Sequence, residues 1–128
     1  MYSRVMALRK VNPDLKVLLA VGGWKHRGEP FTDIVKDPVK QTKFVQQTYE
    51  FIKKRGFDGF DLDWEYPGIP DRGSEPEDKR RFTGLVEEFR RKFGDEFLLT
   101  AAVGAGKDVI EEGTFQIQTD RHLKDVVI

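Results

Sequence analysis

The sequence contains no cysteine. A disulfide framework, a thiol nucleophile and a cysteine-ligated zinc site are therefore excluded. Its only asparagine, Asn12, is followed by Pro13 and Asp14, so there is no N-glycosylation acceptor. No apolar run approaches the roughly 20 residues of a membrane-crossing helix. Residues 1–10 are charged and helical in pattern, without the uninterrupted apolar core of a signal peptide. Neither sign of charge is in excess. The 22 basic and 22 acidic residues balance within 128, which gives no reason to expect nucleic acid or an anionic membrane as a partner. The length suits one domain, and no internal repeat or low-complexity linker interrupts it.

What the chain does have is concentrated in residues 57–66, Phe-Asp-Gly-Phe-Asp-Leu-Asp-Trp-Glu-Tyr. Asp61, Asp63 and Glu65 alternate with Leu62 and Trp64, a period of two that predicts a strand. The three carboxylates would line one face at intervals of about 6–7 Å, with Phe60, Leu62 and Trp64 facing an apolar layer. The acids crowd toward the C-terminal end of the strand, before Pro67 and Gly68. In α/β proteins that end carries the chemistry.

The rest of the chain places this strand in a series. Residues 2–11 carry Val5, Leu8 and Val11 at helical spacing, and Asn12-Pro13 ends the helix. Residues 16–21 are an apolar run of strand length, followed by Gly22, Gly23 and Trp24. Paired glycines allow a sharp turn or a close approach of the backbone. Asp37-Pro38 opens a helix, with Phe44, Val45, Thr48, Phe51 and Ile52 on one face, and Gly56 closes it. Residues 69–73 read as a loop. Ser74-Glu75-Pro76-Glu77 matches a capping box ahead of Phe82, Leu85, Val86, Phe89 and Phe93. Residues 97–103 form a third apolar strand, ending in Gly104-Ala105-Gly106. A short helix near His122 and a strand start at residues 126–128 follow. Helices alternating with apolar strands imply a parallel sheet with right-handed crossovers. The strand ends would share one rim, as at the mouth of a barrel.

Simpler readings compete. An acidic D-x-D-x-E pattern could hold Mg²⁺ or Ca²⁺, although Phe60, Leu62 and Trp64 exclude an EF-hand loop. Gly22-Gly23 is not a dinucleotide fingerprint. His26 and His122 read as surface residues, Asp58 as structural, and the basic clusters at residues 79–81 and 90–92 as a solvated helix face.

The segment Asp58-Gly59-Phe60-Asp61-Leu62-Asp63-Trp64-Glu65 resembles the D-x-x-D-x-D-x-E signature of glycoside hydrolase family 18, the chitinase family. Ala20-Val21-Gly22-Gly23-Trp24 resembles the end of the family's preceding strand, and residues 98–103 its following one. The fold implied is a partial (β/α)8 TIM barrel, from roughly the third strand to the start of the sixth. A whole barrel takes about 250 residues, so the chain is expected to be a segment of a longer enzyme, with little or no hydrolytic activity alone. The resemblance implies an endo-acting chitinase cleaving β-1,4-linked N-acetylglucosamine polymers by a substrate-assisted retaining mechanism, an exception to the usual two-carboxylate scheme. It makes Glu65 the general acid. Asp63 would hold the substrate's acetamide, and Asp61 would share a proton with Asp63. Gly22, Gly23, Trp24, Lys25 and Tyr66 are placed in the substrate cleft. Chitin or a chito-oligosaccharide is the implied partner, with no cofactor and no metal, and the full-length protein is expected to be extracellular. Three neighbouring carboxylates also cannot all ionise cheaply, which suits a general acid. A chitinase-like lectin on the same fold is the rival reading. Such proteins typically replace an acid, and all three are present here.

Overall fold

A computed structural model describes residues 2–104. Three parallel strands, β1 (Leu18–Gly22), β2 (Gly59–Asp63) and β3 (Leu98–Ala101), pair in the order β1-β2-β3. The register sets Ala20 beside Asp61 and Asp61 beside Thr100, and sets Gly22 beside Asp63. Helices α1 (Tyr2–Met6), α2 (Glu29–Val35), α3 (Pro38–Arg55) and α4 (Asp78–Phe93) connect and cover them. The expected strands and parallel pairing are thus present. The short helix near His122, the strand start at residues 126–128 and the last two residues of Gly104-Ala105-Gly106 lie outside the described residues.

The period of two along β2 sorts its side chains. Phe60, Leu62 and the following Trp64 are completely buried under the helices, whereas Asp61, Asp63 and Glu65 are half-buried on the other side. The helices present phenylalanines to this layer. Phe89 lies 5.0 Å from Phe60 between ring centroids and 5.5 Å from Phe44. Such aromatic burial supplies much of a small domain's hydrophobic stabilisation. Helix α3 begins as its sequence dictates: the Asp37 carboxylate accepts the backbone N–H groups of Val39 and Lys40, with Pro38 at the first helical position. It ends at Gly56, whose φ of 73° is left-handed.

Several expectations are corrected. Val5, Leu8 and Val11 are exposed, Val11 by 87%. The chain tightens into a 3₁₀ turn over Ala7–Lys10, so the helical spacing does not continue, and Tyr2 and Met6 face the core instead. The capping box does not form. Ser74 is engaged by the Trp64 indole, which donates to its hydroxyl at 2.8 Å, and α4 has no side-chain cap. The buried Asp78 accepts the Glu75 N–H at 2.8 Å and the Thr32 hydroxyl at 2.5 Å. Arg81 is no solvated side chain, since it pairs with Asp78 and Glu75 at 2.9 and 2.8 Å. Lys79 lies with its stem against Gly68, while Arg80, Arg91 and Lys92 are exposed. Helix α2, which no sequence signal marked, is short and has no side-chain cap. It is held by Phe31, whose ring stacks on Trp64 at 5.2 Å. Residues 69–73 contain a 3₁₀ turn, Pro70–Arg72. Asp58 is structural as expected: it accepts the Val17 N–H at 2.7 Å and pairs with Arg9, tying the entry to β1 against β2.

Candidate active site

The carboxylates stand at the C-terminal end of β2, between the ends of β1 and β3. Asp61 is held from β3: the Thr100 hydroxyl donates to its Oδ1 at 2.6 Å. Glu65 lies close enough to Asp63 for its charge to act on it, and Asp61 adds its charge to the same group. Burial, more than anything else, pushes the Asp63 pKa above the ordinary carboxylate value, and the charges of Glu65 and Asp61 push it further. Asp63 Oδ1 is buried with no hydrogen-bond partner among the described residues. A lone-pair acceptor left in that state is costly unless something arrives to satisfy it. Burial, and then the neighbouring Glu65 charge, raise the Tyr66 pKa as well. The Glu65 carboxyl is thus a charged neighbour of both Asp63 and Tyr66. Below it, Trp64 is locked by Phe31 and Ser74, which fixes the backbone from which Glu65 projects.

The paired glycines explain how β1 approaches so closely. A Cβ on Gly22 would lie 1.9 Å from the Asp63 carbonyl oxygen, and one on Gly23 would lie 3.4 Å from Asp63 Oδ2. Both residues have positive φ, 122° and 94°, and Gly23 N–H donates to the Asp63 carbonyl at 2.8 Å. These glycines shape the wall beside Asp63. Trp24 follows at the rim, 60% exposed, and Lys25 and His26 are exposed next to it.

All the sequence-predicted site residues thus lie along one rim, and the structure brings Asp61, Asp63, Glu65, Tyr66, Gly22 and Gly23 into direct proximity. It also adds two residues that sequence reasoning missed. In the sequence, Thr100 is marked only as part of an apolar strand. Arg72 was read as loop, yet its Nε donates to the Glu65 carbonyl at 3.1 Å and its guanidinium carbon lies 3.6 Å from the centre of the Trp24 ring. No spacing rule marks either one, because both partnerships cross from one strand end to another.

A parallel sheet with helices on one face and three neighbouring carboxylates on the other, at its C-terminal rim, puts an acidic site where α/β enzymes carry their chemistry. The family model for glycosyl hydrolases family 18 matches residues 1–127. The chain belongs to that family. It is 40% identical to mouse (Mus musculus) chitotriosidase-1 over 121 residues, covering 88% of this chain and 26% of that protein. It is 42% identical to the endochitinase of Brugia malayi over 120 residues, covering 93% of this chain and 23% of that protein. The crystal structure of an immunomodulatory active chitinase from Trichuris suis superposes with a TM-score of 0.86 at 32% identity, covering 98% of this chain and 34% of that one. The chain spans about a quarter of the length of the curated relatives it matches.

Proposed function

We propose that this chain carries the acid-bearing part of a chitinase, which hydrolyses β-1,4-linked N-acetylglucosamine polymers with retention and with help from the substrate's own acetamide. The single observation that carries the reading is Asp63. It is proton-favouring, has the Glu65 charge beside it, and holds a buried acceptor, Oδ1, with no partner among the described residues. An acetamide N–H placed there would satisfy that oxygen and turn the carbonyl oxygen of the same group toward the anomeric carbon. Glu65 then gives its proton to the glycosidic oxygen as the bond to the anomeric carbon breaks. The acetamide oxygen bonds to that carbon, forming a cyclic oxazolinium ion. The Asp63 and Asp61 carboxyls stabilise the positive charge. Water then attacks the anomeric carbon, loses its proton to Glu65 and reopens the ring, so Glu65 returns to its starting state.

Trp24 would offer its apolar face to the C–H face of a sugar, with Tyr66 and Lys25 along the same cleft. The likeness to the Brugia malayi endochitinase supports endo cleavage. In this reading the chain supplies a (β/α)8 barrel's strands from roughly the third to the start of the sixth, the full-length protein acts outside the cell, and the chain by itself cleaves a fluorogenic chitobiose substrate weakly or not at all. The test is Glu65→Gln in the protein that carries this chain. Hydrolysis of chito-oligosaccharides is expected to fall by at least about 10³-fold with binding retained, because proton donation is removed and shape is kept. Wild-type rates in the variant would overturn the assignment. Binding without cleavage by the unaltered protein would favour the lectin reading instead.

A further inference from the structure

We propose that Arg72 is a positioning residue that braces the rim tryptophan and the acid-bearing segment as one unit; the proposal rests on the reading of Trp24 as a sugar-stacking side chain. The guanidinium lies over the Trp24 ring at 3.6 Å. The same side chain donates through Nη2 to the Trp24 carbonyl and through Nε to the Glu65 carbonyl at 3.1 Å. One planar fork thus joins the end of β1 to the end of β2 across 48 residues of sequence, a geometry that lysine's single ammonium cannot reproduce. The Arg72 backbone adds to the tie, since its carbonyl accepts the Gly28 N–H at 2.8 Å.

The stack has a functional consequence. An indole that is 60% exposed would ordinarily sample several rotamers, and a ligand would bear the entropy of fixing one. Arg72 covers one ring face and holds the plane, leaving the opposite face to a sugar. It also withdraws the hydrogen-bonding freedom of the Glu65 carbonyl, so the acid and the stacking platform keep a constant relation. Coulombically, Arg72 reaches Glu29 and Tyr66 as well, but its direct partners are the two rim carbonyls and the ring.

The test uses the protein that carries this chain, with Arg72→Ala, Arg72→Met and Arg72→Lys, and Trp24→Phe as reference. Iodide quenching without sugar reads Trp24 in these residues, because Trp64 is completely buried. The Ala and Met variants should be quenched more strongly than the parent, by about two- to threefold in the Stern–Volmer slope. The KM for a chito-oligosaccharide should rise about three- to tenfold, consistent with loss of a cation–π contact and of preorganisation. The fall in kcat should be smaller, with Lys giving partial rescue. Loss of folded protein alone would lower kcat and leave KM in place. Unchanged quenching, or tighter sugar binding in Arg72→Ala, would overturn the proposal, the latter showing that Arg72 competes for the sugar face. Should the unaltered protein neither bind nor cleave chito-oligosaccharides, the functional reading fails, while the quenching still reports on the brace.

Discussion

Replacing Gly22 by Ala tests how β1 shapes the carboxylate site. The added Cβ would lie 1.9 Å from the Asp63 carbonyl oxygen, 2.6 Å from its carbonyl carbon and 3.2 Å from a Phe31 ring carbon. To restore ordinary contact, which begins at 3.4 Å, β1 and β2 must part by about 1.5 Å at this point. That separation stretches the Gly23 N–H bond to the Asp63 carbonyl, now 2.8 Å long, a bond worth about 1 kcal/mol. Holding an alanine at φ near 122° adds about 1–3 kcal/mol of backbone strain. The expected destabilisation is therefore about 2–4 kcal/mol, a large share of the roughly 5–15 kcal/mol that holds a typical domain together. A displacement of about 1 Å or more at Asp63 should also lower turnover by about 10²-fold or more. Gly84→Ala is the control. Gly84 lies inside α4 and its Cβ would meet nothing within 4 Å, so this change should stabilise by about 0.5–1 kcal/mol. Urea unfolding followed by circular dichroism measures both. A Gly22→Ala protein within about 0.5 kcal/mol of the parent, the range of a neutral surface change, would refute the argument that glycine is needed for the close approach.

Two further outcomes follow from the same site. The raised pKa of Asp63 means that the folded protein holds this proton more tightly than the unfolded chain does. Its contribution to stability is full below the unfolded value, near the ordinary 3.8, and is lost as pH rises through the folded value. Asp63→Asn cannot undergo that loss, so its stability relative to the parent should improve as pH rises from about 3 to about 8; a difference that is flat, or that slopes the other way, in urea unfolding would contradict this. Ser74→Ala removes the acceptor of the buried Trp64 indole and should cost about 1–3 kcal/mol, read by thermal or urea unfolding, and no measurable loss would show that the indole finds another acceptor.

Much of the fold was legible because its signals are local. The alternation through Asp61, Leu62, Asp63 and Trp64 is a property of one strand, and the cap at Asp37 involves only the next three residues. Local signals also misled. Ser74 fits a capping box by spacing, but Trp64, ten residues away, takes its hydroxyl, because a buried indole N–H without a partner costs more than an open helix end facing water. Phe31 and α2 escaped notice because that short helix depends on the ring of Trp64 rather than on its own propensity.

By itself, then, the sequence determined that three carboxylates would line one face of a strand ending in a parallel-sheet rim, with paired glycines and a tryptophan on the neighbouring strand end. Only the tertiary structure decided what each of those groups meets. The parallel register set Thr100 against Asp61 and Gly22 against Asp63, and the loop after β2 carried Arg72 to Trp24. Side-chain periodicity is written within a strand, whereas the partner of a polar atom depends on which distant strand is laid beside it. That pairing also sets the burial that raises the pKa of Asp63.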